Sequence, residues 1–63
     1  MVTVTYRDKS WTVRAGSTVR HVIVKAGLNP ESILVLRDGR LINDAILTED
    51  GDELKLVAVV SGG

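Results

Sequence analysis

The chain has 63 residues, 44% of them hydrophobic, with no cysteine and a formal net charge of zero. This length allows one small domain, and the composition is that of a folded protein rather than a disordered one. The absence of cysteine excludes disulfide scaffolds, thiolate zinc sites and a catalytic thiol on this chain. The N-terminus does not resemble a signal peptide, and no apolar stretch approaches the roughly 20 residues that span a bilayer. We therefore expect a soluble, cytoplasmic protein that has no membrane partner.

The charges are segregated along the chain. Residues 1–25 contain five basic residues and one acidic residue, whereas residues 26–63 contain three basic and seven acidic residues. Such asymmetry can steer a charged protein partner, although differently charged solvent faces are the commoner explanation. A nucleic-acid binder would be basic overall and rich in aromatic side chains for base stacking. Because Tyr6 and Trp11 are the only aromatic residues, we expect no direct contact with nucleic acid.

The N-terminal part of the chain has the pattern of a β-hairpin. Residues 2–6 alternate apolar side chains with threonine, which is typical of a half-buried strand. Residues 7–10 are polar and of suitable length to connect two strands. A second strand over residues 11–14 would place Trp11 and Val13 on the same face of the sheet.

A helix is predicted over residues 18–26. Ser17 and Thr18 are good N-cap residues, and Gly27 lies where a helix often ends in a left-handed residue. The β-branched side chains in between lower the helix propensity, but the signals at both ends outweigh it. Apolar residues also recur at helical spacing, namely Val19, Val22, Ile23 and Ala26.

The second half of the chain is predicted to contain three further strands. Pro30 lies in a loop because it cannot continue the helix. The predicted strands cover residues 33–37, 40–42 and 53–60, with a tight Asp-Gly turn between the first two of them. Residues 43–52 are predicted to be irregular, with two apolar side chains tucked beneath them, Ile46 and Leu47.

This order of elements predicts an α+β fold. A hairpin, a crossing helix and three later strands form a β-grasp (ubiquitin-like) roll, with a mixed sheet of four to five strands and one helix packed on one face. The first and last strands would be central and parallel, and they would be reached by the right-handed crossover that such connections nearly always take. We expect residues 1–60 to form the β-grasp domain and residues 61–63 to form a flexible Ser-Gly-Gly tail.

The chain ends on two glycines, Gly62 and Gly63. Glycine offers no side chain to bury and loses much backbone freedom on ordering, so the pair does not serve stability. Given average glycine usage, two terminal glycines occur by chance in about 0.5% of chains. Residues 60–63 could extend roughly 13 Å from the domain. This pattern predicts that the chemistry takes place at the Gly63 carboxylate, within the active site of a partner.

These features resemble the small sulfur-carrier proteins of the ThiS/MoaD type, which are relatives of ubiquitin. The matching segments are residues 37–41, residues 50–52 and residues 59–63, and the similarity covers essentially the whole chain. The resemblance implies that a ubiquitin-activating-type adenylating enzyme activates the Gly63 carboxylate, using ATP and Mg²⁺ that the enzyme binds. The chain itself would be a cosubstrate with no catalytic residue, no metal and no bound cofactor. The tail residues that the enzyme recognises would be Val60, Ser61 and Gly62.

The resemblance also implies two further partners. A sulfurtransferase or cysteine desulfurase would supply the sulfur that converts the acyl-adenylate to a thiocarboxylate, and a downstream enzyme would accept this sulfur. The pathway would be tRNA thiolation or thiamine thiazole synthesis, and molybdopterin synthesis fits less well. A different hypothesis is a protein modifier, in which Gly63 is joined to lysines of target proteins. A third hypothesis is a plain interaction domain that undergoes no ATP-dependent chemistry.

A docking surface is also predicted on the sheet. If Leu54 and Leu56 face the core, the alternate residues of the last strand face solvent. In the strand of residues 33–37, we expect Leu34 and Leu36 to face inward and their neighbours outward. Exposed apolar side chains grouped near the tail would mark a protein-binding surface, at the position of the recognition face of ubiquitin. The predicted partner-binding residues are therefore Val35, Arg37, Lys55, Val57 and Val59.

Three other features do not indicate a site of their own. His21 is the only histidine, and it has no nucleophile or acidic partner at a recognisable spacing. Residues 49–53 are acidic but lack the alternating ligand spacing of a calcium loop. Trp11 is expected to pack in the core or at the sheet edge rather than to bind a ligand.

Overall fold

The computed structural model describes residues 1–59 of the chain, so Val60 and the predicted tail lie outside the described residues. These described residues form a five-stranded mixed sheet in the order β2-β1-β5-β3-β4. The first and last strands, β1 and β5, are parallel neighbours at its centre, and the other pairs are antiparallel. The β-grasp prediction is thereby confirmed. The elements are β1 (Val2–Tyr6), β2 (Lys9–Val13), helix α1 (Val19–Lys25), a 3₁₀ turn (Pro30–Ser32), β3 (Ile33–Arg37), β4 (Arg40–Ile42) and β5 (Glu53–Ala58).

One face of the sheet packs against α1 to form the core. Each apolar side chain that is fully buried contributes about 2 kcal/mol by leaving water. Partly buried side chains, including Trp11 and Val13, pack around the edge of this core, as their alternation predicts. The buried core residues are Val2, Val4, Val19, Val22, Ile23, Val35, Leu54 and Leu56.

The helix begins and ends where its capping residues predict. Thr18 is the N-cap, and its Oγ1 accepts a hydrogen bond from the amide of His21 at 3.2 Å. The two preceding helix amides donate to the carbonyl oxygens of Ile46 and Asp44, at 2.9 and 2.8 Å. At the other end, Gly27 has a φ of 80°, the left-handed conformation expected after a helix. The backbone donors of the first turn are therefore satisfied, partly by a distant segment.

The segment between β4 and β5 is held in place by Thr48. Thr48 is 3% exposed, and its hydroxyl donates to the carbonyl of Ser17 at 2.8 Å and accepts from the amide of Gly16 at 3.2 Å. The prediction that Ile46 and Leu47 are both tucked under this segment is wrong for Leu47, which is 59% exposed. The buried position belongs to Thr48, because its hydrogen bonds tie the segment to the loop before α1.

Two strand boundaries differ from the predictions. The first hairpin has a turn of only two residues, because Tyr6 already pairs with Lys9. Arg7 has a φ of 58° in this turn. This left-handed conformation is uncommon for residues other than glycine, so the sequence does not predict it. The last strand ends at Ala58 rather than at residue 60.

Within residues 1–59, no helix has both the length and the apolar character needed to cross a membrane. The single α-helix described there, α1, contains seven residues.

Candidate functional site

The strand that leads to the two glycines is anchored on both sides. β5 pairs with β1 in parallel and with β3 in antiparallel register. One residue beyond the strand, the amide of Val59 donates to the carbonyl of Ser32 at 2.8 Å. The chain is thus fixed up to Val59, beside the start of β3. The predicted tail-recognition residues and the predicted adenylation site lie outside the described residues, namely Val60, Ser61, Gly62 and Gly63.

The sheet face opposite α1 is uncovered within the described part of the chain, and we call it the open face. β5 alternates as predicted, since Leu54 and Leu56 are buried while Lys55 and Val57 are exposed on the open face. Val59 is also exposed, at 41%. The predicted exposure of these three residues is therefore confirmed, and their role in binding a partner stays a prediction.

The predicted orientation of β3 is wrong. Val35 is 2% exposed and lies opposite buried Leu56, so it belongs to the core. Leu34 is 45% exposed and lies opposite Val57, so it belongs to the open face. The first four residues of β3 are all apolar, which leaves no polar alternation to reveal the orientation. Pairing with β5 sets it instead, because side chains on directly opposed residues share a face.

The corrected orientation produces a larger apolar surface than was predicted. Leu36 lies opposite Leu41 across the β3–β4 pair, and Leu41 is 62% exposed. Leu34 and Val57 form the neighbouring pair across β3 and β5. These three leucines were not predicted to lie on the open face. The position of Leu41 follows once β3 is oriented, because Leu41 lies directly opposite Leu36 and directly opposed residues share a face. We call the resulting surface the apolar patch, which consists of Leu34, Leu36, Leu41 and Val57.

Arg37 does not belong to the open face. It lies opposite Leu54, whose side chain is buried, and is itself only partly exposed. Its guanidinium group contacts Oδ2 of Asp52 at 3.4 Å, and the same oxygen accepts the amide of Glu49 at 2.8 Å. The predicted placement of Arg37 on the open face is therefore wrong, and its contact with Asp52 holds the turn before β5.

A shallow hollow on the open face adjoins the apolar patch and contains about 530 Å³. Both signs of charge occur around it, because its lining residues include the basic Arg7 and Lys55 and the acidic Asp38 and Glu53. An apolar surface with a mixed polar rim is typical of a protein-binding surface rather than of a small-molecule pocket.

The acidic turn before β5 is tied to the N-terminus. Asp50 forms an ion pair with the N-terminal amine of Met1. The hydrogen bond from this amine, followed by its positive charge, lowers the pKa of the Asp50 carboxyl below its ordinary value. Among residues 1–59, no three acidic or histidine side chains lie close enough to hold a metal ion.

The chain was compared with protein families and with solved structures. The model of the ThiS family matches residues 2–63. SAMP1 from Haloferax volcanii is 24% identical, with a TM-score of 0.63 and 98% coverage of both chains. A ubiquitin-like protein from the archaeon Caldiarchaeum subterraneum is 20% identical, with a TM-score of 0.55 and 97% coverage of both chains. The N-terminal ubiquitin-like domain of the 4931431F19Rik protein is 16% identical, with a TM-score of 0.74, and the match covers 98% of this chain and 76% of that chain. At these identities the three structures support the fold alone.

Proposed function

This chain belongs to the ThiS family, and on that premise we propose that it is a cytoplasmic sulfur carrier whose Gly63 carboxylate becomes a thiocarboxylate. The observation that carries the proposal is that the family match extends to residue 63 and so includes both glycines. The anchored β5 supports it as well, because it gives the activating enzyme a fixed starting point for residues 60–63. The chain then acts as a protein cosubstrate and not as an enzyme.

The chemistry begins with activation of the carboxylate. A carboxylate is a poor electrophile, so its oxygen first attacks the α-phosphorus of ATP and pyrophosphate leaves. The terminal sulfur of a persulfide on a sulfurtransferase or cysteine desulfurase then attacks the carbonyl carbon of Gly63, and AMP leaves with the bonding electron pair. A thiol next reduces the resulting acyl disulfide, which releases the Gly63 thiocarboxylate and leaves a disulfide between the thiol and the sulfur donor. The partner enzyme supplies the Mg²⁺ and the donors that stabilise the oxyanion.

We propose that the adenylating enzyme docks on the open face. The apolar patch lies next to the end of β5, and its exposed leucines and valine would be desolvated by an apolar surface of the partner. Lys55 and Val59 flank the patch and are exposed. Docking there would hold the domain while residues 60–63 enter the active site.

The sulfur acceptor is a further part of the proposal. We favour an acceptor enzyme of tRNA thiolation or of thiamine thiazole synthesis over one of molybdopterin synthesis. The protein-modifier hypothesis uses the same adenylate at Gly63 and differs in the nucleophile, which would be a lysine amine of a target protein. The two functions are distinguished by the product, since one gives a thiocarboxylate and the other an isopeptide bond.

The experiment that tests the proposal is intact-mass analysis after incubation with ATP, the cognate adenylating enzyme and a sulfur donor. We expect a mass increase equal to the replacement of one oxygen by sulfur, mapped to Gly63. A variant that lacks Gly63 is the matched control and should remain unmodified with its fold intact. An unmodified full chain would refute the carrier function, and a modified control would refute the assignment to Gly63. Higher-mass conjugates in an extract of the native host would instead favour the modifier.

A further inference from the structure

A second concave surface lies on the helix side of the sheet, away from the open face. It is a groove of about 360 Å³ between α1 and the segment that follows β2. Its apolar floor includes Val13 and Val22, and its rim carries the side chains of Arg14, His21 and Lys25. We call it the cationic groove.

The charge of the cationic groove has one sign. Arg14 and Lys25 are exposed on its rim, and within residues 1–59 no acidic residue is among its lining residues. The lining comes entirely from residues 13–25, within the half of the chain in which basic residues outnumber acidic ones by five to one. Arg20, on the same helix, is paired with Asp44 at 3.3 Å and does not line the groove. The surface is therefore complementary to an acidic ligand.

The strand that leads into the groove lies at an edge of the sheet. β2 is bonded to β1 on one side, and its other side has no neighbouring strand among residues 1–59. An edge strand presents unpaired amide and carbonyl groups that can bind a further strand. The opposite edge is formed by β4, which has three residues against five in β2. β2 is thus the longer of the two available edges.

We propose that β2 and the cationic groove together bind an extended acidic segment of a partner protein. The segment adds to the free edge of β2 through backbone hydrogen bonds. Its acidic side chains lie against Arg14 and Lys25, and its apolar side chains lie on the floor that Val13 and Val22 provide.

A polypeptide explains these features better than a free phosphate does. The groove has the volume of a ligand pocket rather than of a small-anion site, and much of its floor is apolar. The cationic groups sit on exposed rims instead of converging on one point. Only a polypeptide can also use the backbone groups at the edge of β2.

This surface is separate from the carrier chemistry. The groove begins at Val13, which pairs with Val2 at the start of β1. The chain leaves β5 beyond Leu56, which pairs with Tyr6 at the opposite end of β1. The acidic segment and the activating enzyme therefore use different faces and different ends of the sheet, and the inference stands independently of the Gly63 chemistry.

The test is a titration of the full chain, followed through its backbone amide NMR signals. The probe is a synthetic peptide of alternating valine and threonine that ends in a run of aspartates. We expect shifts in the amides of Ser10 and Thr12 on β2 and of residues that line the cationic groove. Affinity should fall with added salt, because the ion pairs are exposed. Arg14→Glu and Lys25→Glu should each weaken binding about fivefold.

Three controls make the result decisive. Arg40→Glu makes the same change in net charge. Arg40 is exposed on β4 and does not line the cationic groove, so this variant should leave the affinity for the peptide unchanged. A peptide that ends in lysines in place of aspartates should bind at least about fivefold more weakly, because each of its charges repels the groove. Inorganic phosphate should not shift the amides of β2. The proposal is overturned if the lysine peptide binds equally well, if the shifts map to the open face, if phosphate reproduces them, or if no peptide binds.

Discussion

At the scale of single residues, Leu34 and Val35 have opposite environments although they are neighbours in β3. Val35 is 2% exposed and Leu34 is 45% exposed. We expect Val35→Ala to lower the free energy of unfolding by about 2 kcal/mol, because it removes buried methyl groups and leaves a cavity. Leu34→Ala should lower the free energy of unfolding by less than about 1 kcal/mol, since much of the Leu34 side chain already contacts water. Urea denaturation of both variants measures the difference, and a larger loss for Leu34→Ala would contradict the observed orientation of β3.

Gly62 is the residue at which the shape of the enzyme's channel can be tested. If a narrow channel receives residues 60–63, a β-carbon at position 62 displaces the carboxylate from the reactive position. A misplacement of this kind costs up to about a hundredfold in rate. We expect Gly62→Ala to slow ATP–pyrophosphate exchange by between about tenfold and about a hundredfold. The thermal midpoint of the protein should not change. Equal rates for the unsubstituted chain and for Gly62→Ala would argue against a narrow channel.

At the scale of elements, the start of α1 depends on Thr18. Its hydroxyl accepts the amide of His21, while the two preceding amides are bound by carbonyls of residues 44 and 46. We expect Thr18→Ala to lower the free energy of unfolding by about 1 kcal/mol, which is the usual contribution of an N-cap. Thr18→Ser keeps the hydroxyl and should be nearly neutral. If both variants lost the same amount in urea denaturation, the capping bond would not be the source of the effect.

The elements that the sequence predicts correctly are those with local signals at their ends. Thr18 and Gly27 bound the helix, and Asp38 and Gly39 form a two-residue turn in which both have positive φ. The errors lie where structure is decided by distant segments. The orientation of β3 is set by its register with β5, and the burial of Thr48 is set by bonds to the loop before α1. An all-apolar strand and a lone threonine do not contain that information. For the candidate site, the exposed residues of β5 were found, but the leucines of the apolar patch were not.

At the scale of the whole molecule, the open face and the helix side are expected to differ in their effect on activation. Val57 lies in the apolar patch and is 37% exposed. Val57→Asp should raise the KM of the adenylating enzyme for this protein about tenfold, because the enzyme would have to bury a carboxylate against an apolar surface. The control is Val24→Asp. Val24 lies on α1, on the helix side of the sheet, and is 54% exposed, so the same charge introduced there should leave KM unchanged. Equal effects of the two variants would show that enzyme docking does not use the open face.

The parallel pairing of β1 with β5 joins the two ends of the described chain at the centre of the sheet. Separating these strands exposes the core residues Val4, Leu54 and Leu56, so it requires global unfolding. We expect the amides of Thr5 and Leu56, which face the partner strand across the β1–β5 pair, to exchange hydrogen only at the free energy of global unfolding measured in urea. The amide of Ile42, which faces β3 from the short edge strand β4, should exchange at a lower free energy through local opening. Because β5 leads to the glycines, this stability would keep the start of residues 60–63 fixed during enzyme docking. If Leu56 exchanged at a free energy as low as that of Ile42, β5 would open independently, and the anchoring argument would fail.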